Sequence, residues 1–319
     1  MRAHFGFVLC WLGACAAPPP DVAPSRDVKQ ADVAVKQEAP AAPAAWEAPP
    51  ITAAPEGPLG DAIRRGLELF TQTNKLLPAY ATGNMACSSC HLKEGRQLGA
   101  AALVGVAGRF PKYMERTGAV ITLQDRVNYC FTRSLAGNRL PVDSKEMTEL
   151  IAYLGFLSDG APPHGKVPGV DIPVLKGFTG DKARGEKLYT EKGCVACHQA
   201  EGGGVVGAFP ALWGPGAYSV GASMTREERA ASFIQQFMPQ TAPGSLSPQE
   251  AFDLSAFINS HPRPDSPGKE KDWPNGGAPY DVPYATQGHE AYNPAPVLAR
   301  NTPDRAVVPP PVSVLGGAK

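Results

Sequence analysis

Net charge is absent from this chain. Lys plus Arg number 30 and Asp plus Glu number 30 across 319 residues. No global positive excess is available to a nucleic-acid backbone, and only a local basic pocket for a small anion stays open. Long apolar runs are absent as well. The N-terminal stretch from Phe5 to Leu12 is too short to span a bilayer. No segment alternates apolar and polar residues convincingly, which removes the sequence basis for a sandwich or barrel. Cysteine is scarce, at seven residues. Glycine and proline are not, at 34 each, and they predict long irregular loops and tails.

The informative feature is a short string that occurs twice. It reads Cys87-Ser88-Ser89-Cys90-His91 and again Cys194-Val195-Ala196-Cys197-His198. Cys-x-x-Cys-His is the attachment spacing of c-type haem. Two thiols about a turn apart can each add to a vinyl group, and the adjacent His lies under the iron as its proximal ligand. A thioredoxin-like or zinc reading needs a βαβ context or a second nearby ligand pair, and neither is found. The cofactor expected is therefore two covalently attached haem c groups. Haem attachment takes place outside the cytoplasm, so an export signal should exist. Arg2 supplies a basic n-region and Phe5 to Leu12 an apolar h-region. The stretch ends Leu12-Gly13-Ala14-Cys15, which resembles a bacterial lipoprotein cleavage box. Residues 1–14 then form the signal peptide. Cys15 becomes the lipidated first residue, and the protein faces the periplasmic side of a bacterial envelope. Several acyl chains would anchor it stably, where one would not. The alternative is ordinary cleavage that releases a soluble protein.

Residues 15–58 are rich in Ala, Pro and Val and read as a tether, with Trp46 expected to dock on the surface. A first domain is expected over 59–160. It opens with a helix from about Gly60 to Asn74, whose Ile63, Leu67 and Phe70 share a face. Further helices are expected from Leu123 to about Ser134 and from Ser144 onward, with Met147, Leu150, Ile151 and Leu154 on one stripe. A linker over 161–180 precedes a second domain over 181–262 that repeats the plan. Arg184-Gly185 echoes Arg65-Gly66, and Phe209-Pro210 echoes Phe110-Pro111. Thr225-Arg226-Glu227-Glu228 and Ser247-Pro248-Gln249-Glu250 read as capping boxes. Residues 263–319 read as a Pro/Gly-rich wrap and tail, expected to be mobile after about Thr286. The fold class expected is all-α: two tandem class I cytochrome c-like domains with long irregular loops and Pro-rich termini.

The second axial position on each iron decides function. In the second domain Met238 lies 40 residues after His198, before Pro239, with Met224 as competitor. The equivalent slot in the first domain, 39 residues after His91, holds Cys130. Either Cys130 is a buried free thiol or it binds iron as thiolate, with Met114 and Met147 as rival ligands. Arg116, Arg126, Arg133 and Arg139 surround it in sequence. Arg126 and Ser134 fall one turn to either side of Cys130, on one helix face. Guanidinium forks suit tetrahedral oxyanions, although surface arginines are the plainer reading.

Arg126-Val127-Asn128-Tyr129-Cys130-Phe131-Thr132-Arg133-Ser134, with Leu140-Pro141 beyond, resembles the thiosulfate dehydrogenase family of dihaem cytochromes. So do Phe209-Pro210-Ala211-Leu212-Trp213-Gly214, Phe233-Ile234 with Met238-Pro239, and the run from His261-Pro262-Arg263-Pro264 to Trp273-Pro274. The similarity spans about Leu59 to Tyr284. It implies oxidation of two thiosulfate ions to tetrathionate, reversible in some members. The electrons pass to an external carrier such as a small cytochrome c or a high-potential iron-sulfur protein. It implies His91 and Cys130 as ligands of a catalytic haem and His198 and Met238 as ligands of an electron-exit haem. Arg116, Arg126 and Ser134 are implied to bind the anion beside Cys130. The chain departs in having Phe237 where some members have a Lys that exchanges with the distal Met. A lipid anchor also differs from soluble members. Two other classes remain: a non-enzymatic dihaem electron carrier, and a Sox-type sulfur-carrier cytochrome.

Overall fold

A computed structural model of the chain describes residues 46–299. The expected signal peptide, Cys15, most of the tether and the end of the tail lie outside the described residues. Six helices carry the two halves: α1 (Pro58–Thr71), α2 (Leu123–Tyr129), α3 (Lys145–Phe156), α4 (Lys182–Glu191), α5 (Glu227–Phe237) and α6 (Pro248–Asn259). In the first half α1 packs on α3 around Ile63, Leu69, Phe70, Met147, Leu150, Tyr153 and Leu154. In the second, α4 packs on α6 around Tyr189, Trp213, Phe252, Leu254 and Phe257. Burial of these faces supplies the driving force, at about 25 cal/mol per Å² of apolar surface removed from water.

The repeated Arg-Gly pair now has a physical reason. A Cβ on Gly66 would lie 2.1 Å from the Glu149 carbonyl oxygen, and one on Gly185 would lie 2.0 Å from that of Asp253. Each glycine lets the first helix of its half touch the backbone of the last. Alanine at either position must push the pair apart. Gly66→Ala and Gly185→Ala are each expected to destabilise their own half by about 1–3 kcal/mol, seen as a lower thermal midpoint.

The helix ends follow local chemistry in most places. Ser144 caps α3 by accepting from the Met147 amide at 3.1 Å. Ser247 and Glu250 form the expected reciprocal box on α6. The box expected at Thr225 does not form. Thr225 is buried in the turn before α5, and its hydroxyl donates to the carbonyls of Val220 and Ala222. The Glu228 amide donates instead to Asp281, 3.2 Å away and contributed by the C-terminal extension. A cap from so far along the chain leaves no local signature.

The structure adds detail to the rest of the reading. Short strands exist: β1 (Lys112–Met114) pairs antiparallel with β2 (Ala119–Ile121), and Arg263–Pro264 pairs parallel with Val297–Leu298. Two or three residues are too few to show a period. Within residues 46–58, Trp46 docks on the first half as expected. The Trp46 indole donates to the Asp159 carbonyl, and Arg96 donates to the carbonyls of Ala48 and Pro49. After Thr286, Val297 and Leu298 pair back onto Arg263 and Pro264. The linker is likewise held, with Gly99 and Ala102 donating to the carbonyls of Gly169 and Val170.

The two halves are stitched together close to both Cys-x-x-Cys-His strings. Asn84, just before Cys87, donates through its amide to the Gly216 carbonyl and through its side chain to that of Phe209. Phe209 adjoins Pro210, the carbonyl that holds His198.

Candidate active site

Cys87–Ser89 form one tight turn and Val195–His198 another, and each presents its cysteines and histidine together. The two histidines are fixed the same way. His91 Nδ1 is 2.7 Å from the Ala101 carbonyl oxygen, and His198 Nδ1 is 2.9 Å from that of Pro210. A carbonyl can only accept, so Nδ1 carries the proton and the Nε2 lone pair is left for a metal. Burial holds His198 below the usual histidine range, partly offset by that hydrogen bond.

Cys130 lies within hydrogen-bond reach of the His91 ring, and its Sγ accepts from Arg126 Nη1 at 2.9 Å. Burial by itself would raise this thiol. The Arg126 guanidinium, then His91, more than offset that and bring it down to about 7. Burial instead pushes Cys87 and Cys90 up to about 12. Cys130 is thus the thiol of this half held in the thiolate range. An imidazole lone pair facing a thiolate, with two adjacent cysteines able to become thioethers, is a donor set that fits a covalently attached haem.

Local structure explains the aim of Cys130. Thr122 and Asp125 form a reciprocal cap that starts α2, a box the sequence reading missed. The helix then widens into a π-turn over Cys130–Ser134, and the Leu135 amide bonds back to the Cys130 carbonyl at 2.9 Å. Such turns re-aim side chains and concentrate at functional sites. Ser134 is half-buried, and its hydroxyl has no partner among the described residues.

The four arginines part company. Arg126 is on the sulfur. Arg116 lies in the turn between β1 and β2, where its Nε bonds Asp272 at 2.9 Å and its Nη2 donates to the Gly221 carbonyl and the Tyr284 hydroxyl. Arg133 is buried and donates to the same Asp272 at 2.6 Å. Arg139 stands 3.7 Å from Asp125. Met147 is wholly buried in the first core, and Met114 belongs to β1. Met238 follows α5 directly, and Met224 packs against the same second core. Phe237 packs at a tilt against Phe233, with ring centroids 5.4 Å apart.

A cavity of about 830 Å³ has Arg109, Lys112, Lys166 and Asp171 in its wall. Burial lowers both Arg109 and Lys112, and repulsion from Arg126 adds to it, so the basic field extends beyond the sulfur. The sequence reading passed over these two residues, because Phe110-Pro111 between them registered only as an echo of the second half.

Residues 75–162 match the family described as SoxA/TsdA, cytochrome c domain, and residues 182–262 match cytochrome c. The thiosulfate dehydrogenase of Allochromatium vinosum is 41% identical over 220 residues, 66% of this chain and 81% of that one. This chain belongs to the thiosulfate dehydrogenase family. The thiosulfate dehydrogenase of Psychrobacter arcticus is 39% identical over 72% of this chain and 71% of its own length. The solved thiosulfate dehydrogenase (TsdBA) of Marichromatium purpuratum superposes with a TM-score of 0.68 at 33% identity, over 75% of this chain. The match spans only 55% of that protein's length. The expected all-α pair of cytochrome c domains is therefore correct. Both Cys-x-x-Cys-His strings, Cys130 and Met238 fall within the two matched spans of this thiosulfate dehydrogenase family member. Asp272, Asp281 and Tyr284 fall outside them.

Proposed function

We propose that the protein joins two thiosulfate ions into tetrathionate at Cys130. The observation that carries this reading is the place of the Cys130 sulfur, which accepts from the Arg126 guanidinium at 2.9 Å and faces the His91 ring. The Cys130 thiolate bonds to the terminal sulfur of one thiosulfate, giving Cys–S–S–SO₃⁻ and releasing two electrons. A second thiosulfate attacks the sulfur that carries the sulfonate. The S–S bond to Cys130 breaks, its thiolate returns, and tetrathionate leaves. Charge and atoms balance in both steps, and one hard coupling becomes two easier ones. When bound, the two haems supply a one-electron acceptor in each domain. Arg126 orients the anion, with Arg116 and Ser134 beside it, and His91 and Cys130 would hold the iron of the first haem. His198 and Met238 would hold that of the second, and an external small cytochrome c or iron-sulfur protein would be the final electron carrier. The reverse reaction uses the same groups. Export to the periplasm and a lipid anchor at Cys15 are proposed on the sequence alone.

Purified protein mixed with thiosulfate and an oxidised dye is expected to form one tetrathionate for every two electrons the dye receives. A purely electron-transferring cytochrome would leave thiosulfate unchanged. A Sox-type carrier would form no tetrathionate without a carrier-protein partner. Either result would overturn the proposal.

A further inference from the structure

We infer that Asp272, carried by the C-terminal extension, is a positioning residue that completes the anion site by holding Arg116. The inference rests on the reading that Arg116 meets the substrate anion. Asp272 is almost wholly buried. Its Oδ2 accepts from Arg116 Nε at 2.9 Å and the Tyr284 hydroxyl at 2.7 Å. Its Oδ1 accepts from Arg133 Nη2 at 2.6 Å and the Tyr129 hydroxyl at 3.1 Å. All four lone-pair directions of the carboxylate are used.

Two guanidinium groups share this one carboxylate, so the cluster keeps one excess positive charge. It abuts the reactive segment, because Tyr129 directly precedes Cys130 and its ring lies beneath both Arg116 and Arg133. On Arg116, Nε and Nη2 are occupied, whereas Nη1 has no partner among the described residues and is not buried. The arginine therefore offers a single fixed donor face. Trp273 tightens the grip. Its amide donates to the Arg116 carbonyl at 2.9 Å and its ring lies 4.9 Å from the guanidinium carbon. It does so at φ +52°, a left-handed conformation that a bulky residue keeps only when its surroundings enforce it. Pro274 then seats against Gly118 in the same turn, where a Cβ would come within 2.5 Å of the ring. The strap is thus built around Arg116, and displacement of a binding group by about 1 Å can cost on the order of a hundredfold.

The same extension provides a control. Asp281 is equally buried, bonds Arg226 at 2.6 Å and caps α5 in the second half. Asp272→Asn is expected to raise KM for thiosulfate about tenfold with kcat within about threefold, both haems retained. In an Arg116→Gln background the same change should add less than twofold, as expected for a residue acting through another. Tyr284→Phe, which keeps the carboxylate, should raise KM about threefold and guards against poor folding of the asparagine variant. Asp281→Asn should lower the thermal midpoint and leave KM unchanged. An unchanged KM in both Asp272→Asn and Tyr284→Phe overturns the inference. So does a lower KM in Asp272→Asn, which would mean that the carboxylate merely repels the anion, and so does the same KM rise in Asp281→Asn. If the parent protein forms no tetrathionate at all, the underlying reading fails along with it, and the parent assay separates the two cases.

Discussion

Cys130→Gly is expected to lower tetrathionate formation by about a thousandfold or more, because it removes the proposed nucleophile. Both haems should remain attached, since Cys87, Cys90, Cys194 and Cys197 are untouched. Mass spectrometry of the intact chain reads attachment, and the turnover assay reads the rate. If Cys130 is the iron ligand proposed, the absorbance of the first haem should change as well, because a sulfur donor is lost. Helix propensity favours the parent over glycine by less than about 1 kcal/mol, too little to unfold the half. A loss of rate with haem retained therefore reports chemistry and not folding. Substantial turnover in the glycine variant would remove Cys130 from the mechanism. The chain would then be a dihaem carrier whose arginines serve some other end.

Much of this site was legible because its parts lie close together in sequence. Cys87, Cys90 and His91 occupy one turn, and Arg126 reaches Cys130 across a single helical turn. The internal repeat pairs Cys130 with Met238 by spacing, 39 and 40 residues after their histidines. What escaped the sequence reading was set by partners far along the chain. Asp281 caps α5 from more than fifty residues away, and Asp272 reaches back past both domains to Arg116 and Arg133. Each stands in a Pro/Gly-rich stretch whose composition signals only irregular backbone. Its order comes from burial of Trp273, Val282 and Tyr284 against Val220, and no periodicity announces such a patch. The Arg-Gly echo was visible as a repeat, yet its meaning needed the close helix crossings at Gly66 and Gly185.

Two thiosulfate dianions brought to about 4 Å repel one another by roughly 4 kcal/mol even in water, and by more where water is excluded. The fold has to counter that locally, because the chain carries no net charge. Arg126 is the cation best placed to do so. Arg116 and Arg133 already share Asp272, whereas the side-chain hydrogen bond of Arg126 among the described residues goes to the Cys130 sulfur. Arg126→Met keeps much of the length and apolar stem while removing the charge and the fork. A charge-assisted hydrogen bond contributes about 1.5–3 kcal/mol, so KM for thiosulfate should rise about 10- to 100-fold. Lysine should recover only part of the loss, since an ammonium cannot bond the sulfur and an oxyanion along two parallel directions. Salt provides a second reading of the same charge. Rising ionic strength should weaken thiosulfate binding in the parent and have a smaller effect in Arg126→Met, whose lost attraction leaves less to screen. Equal salt dependence in the two proteins would place the attraction elsewhere, with Arg109 and Lys112 in the wall of the neighbouring cavity as the cations to vary next.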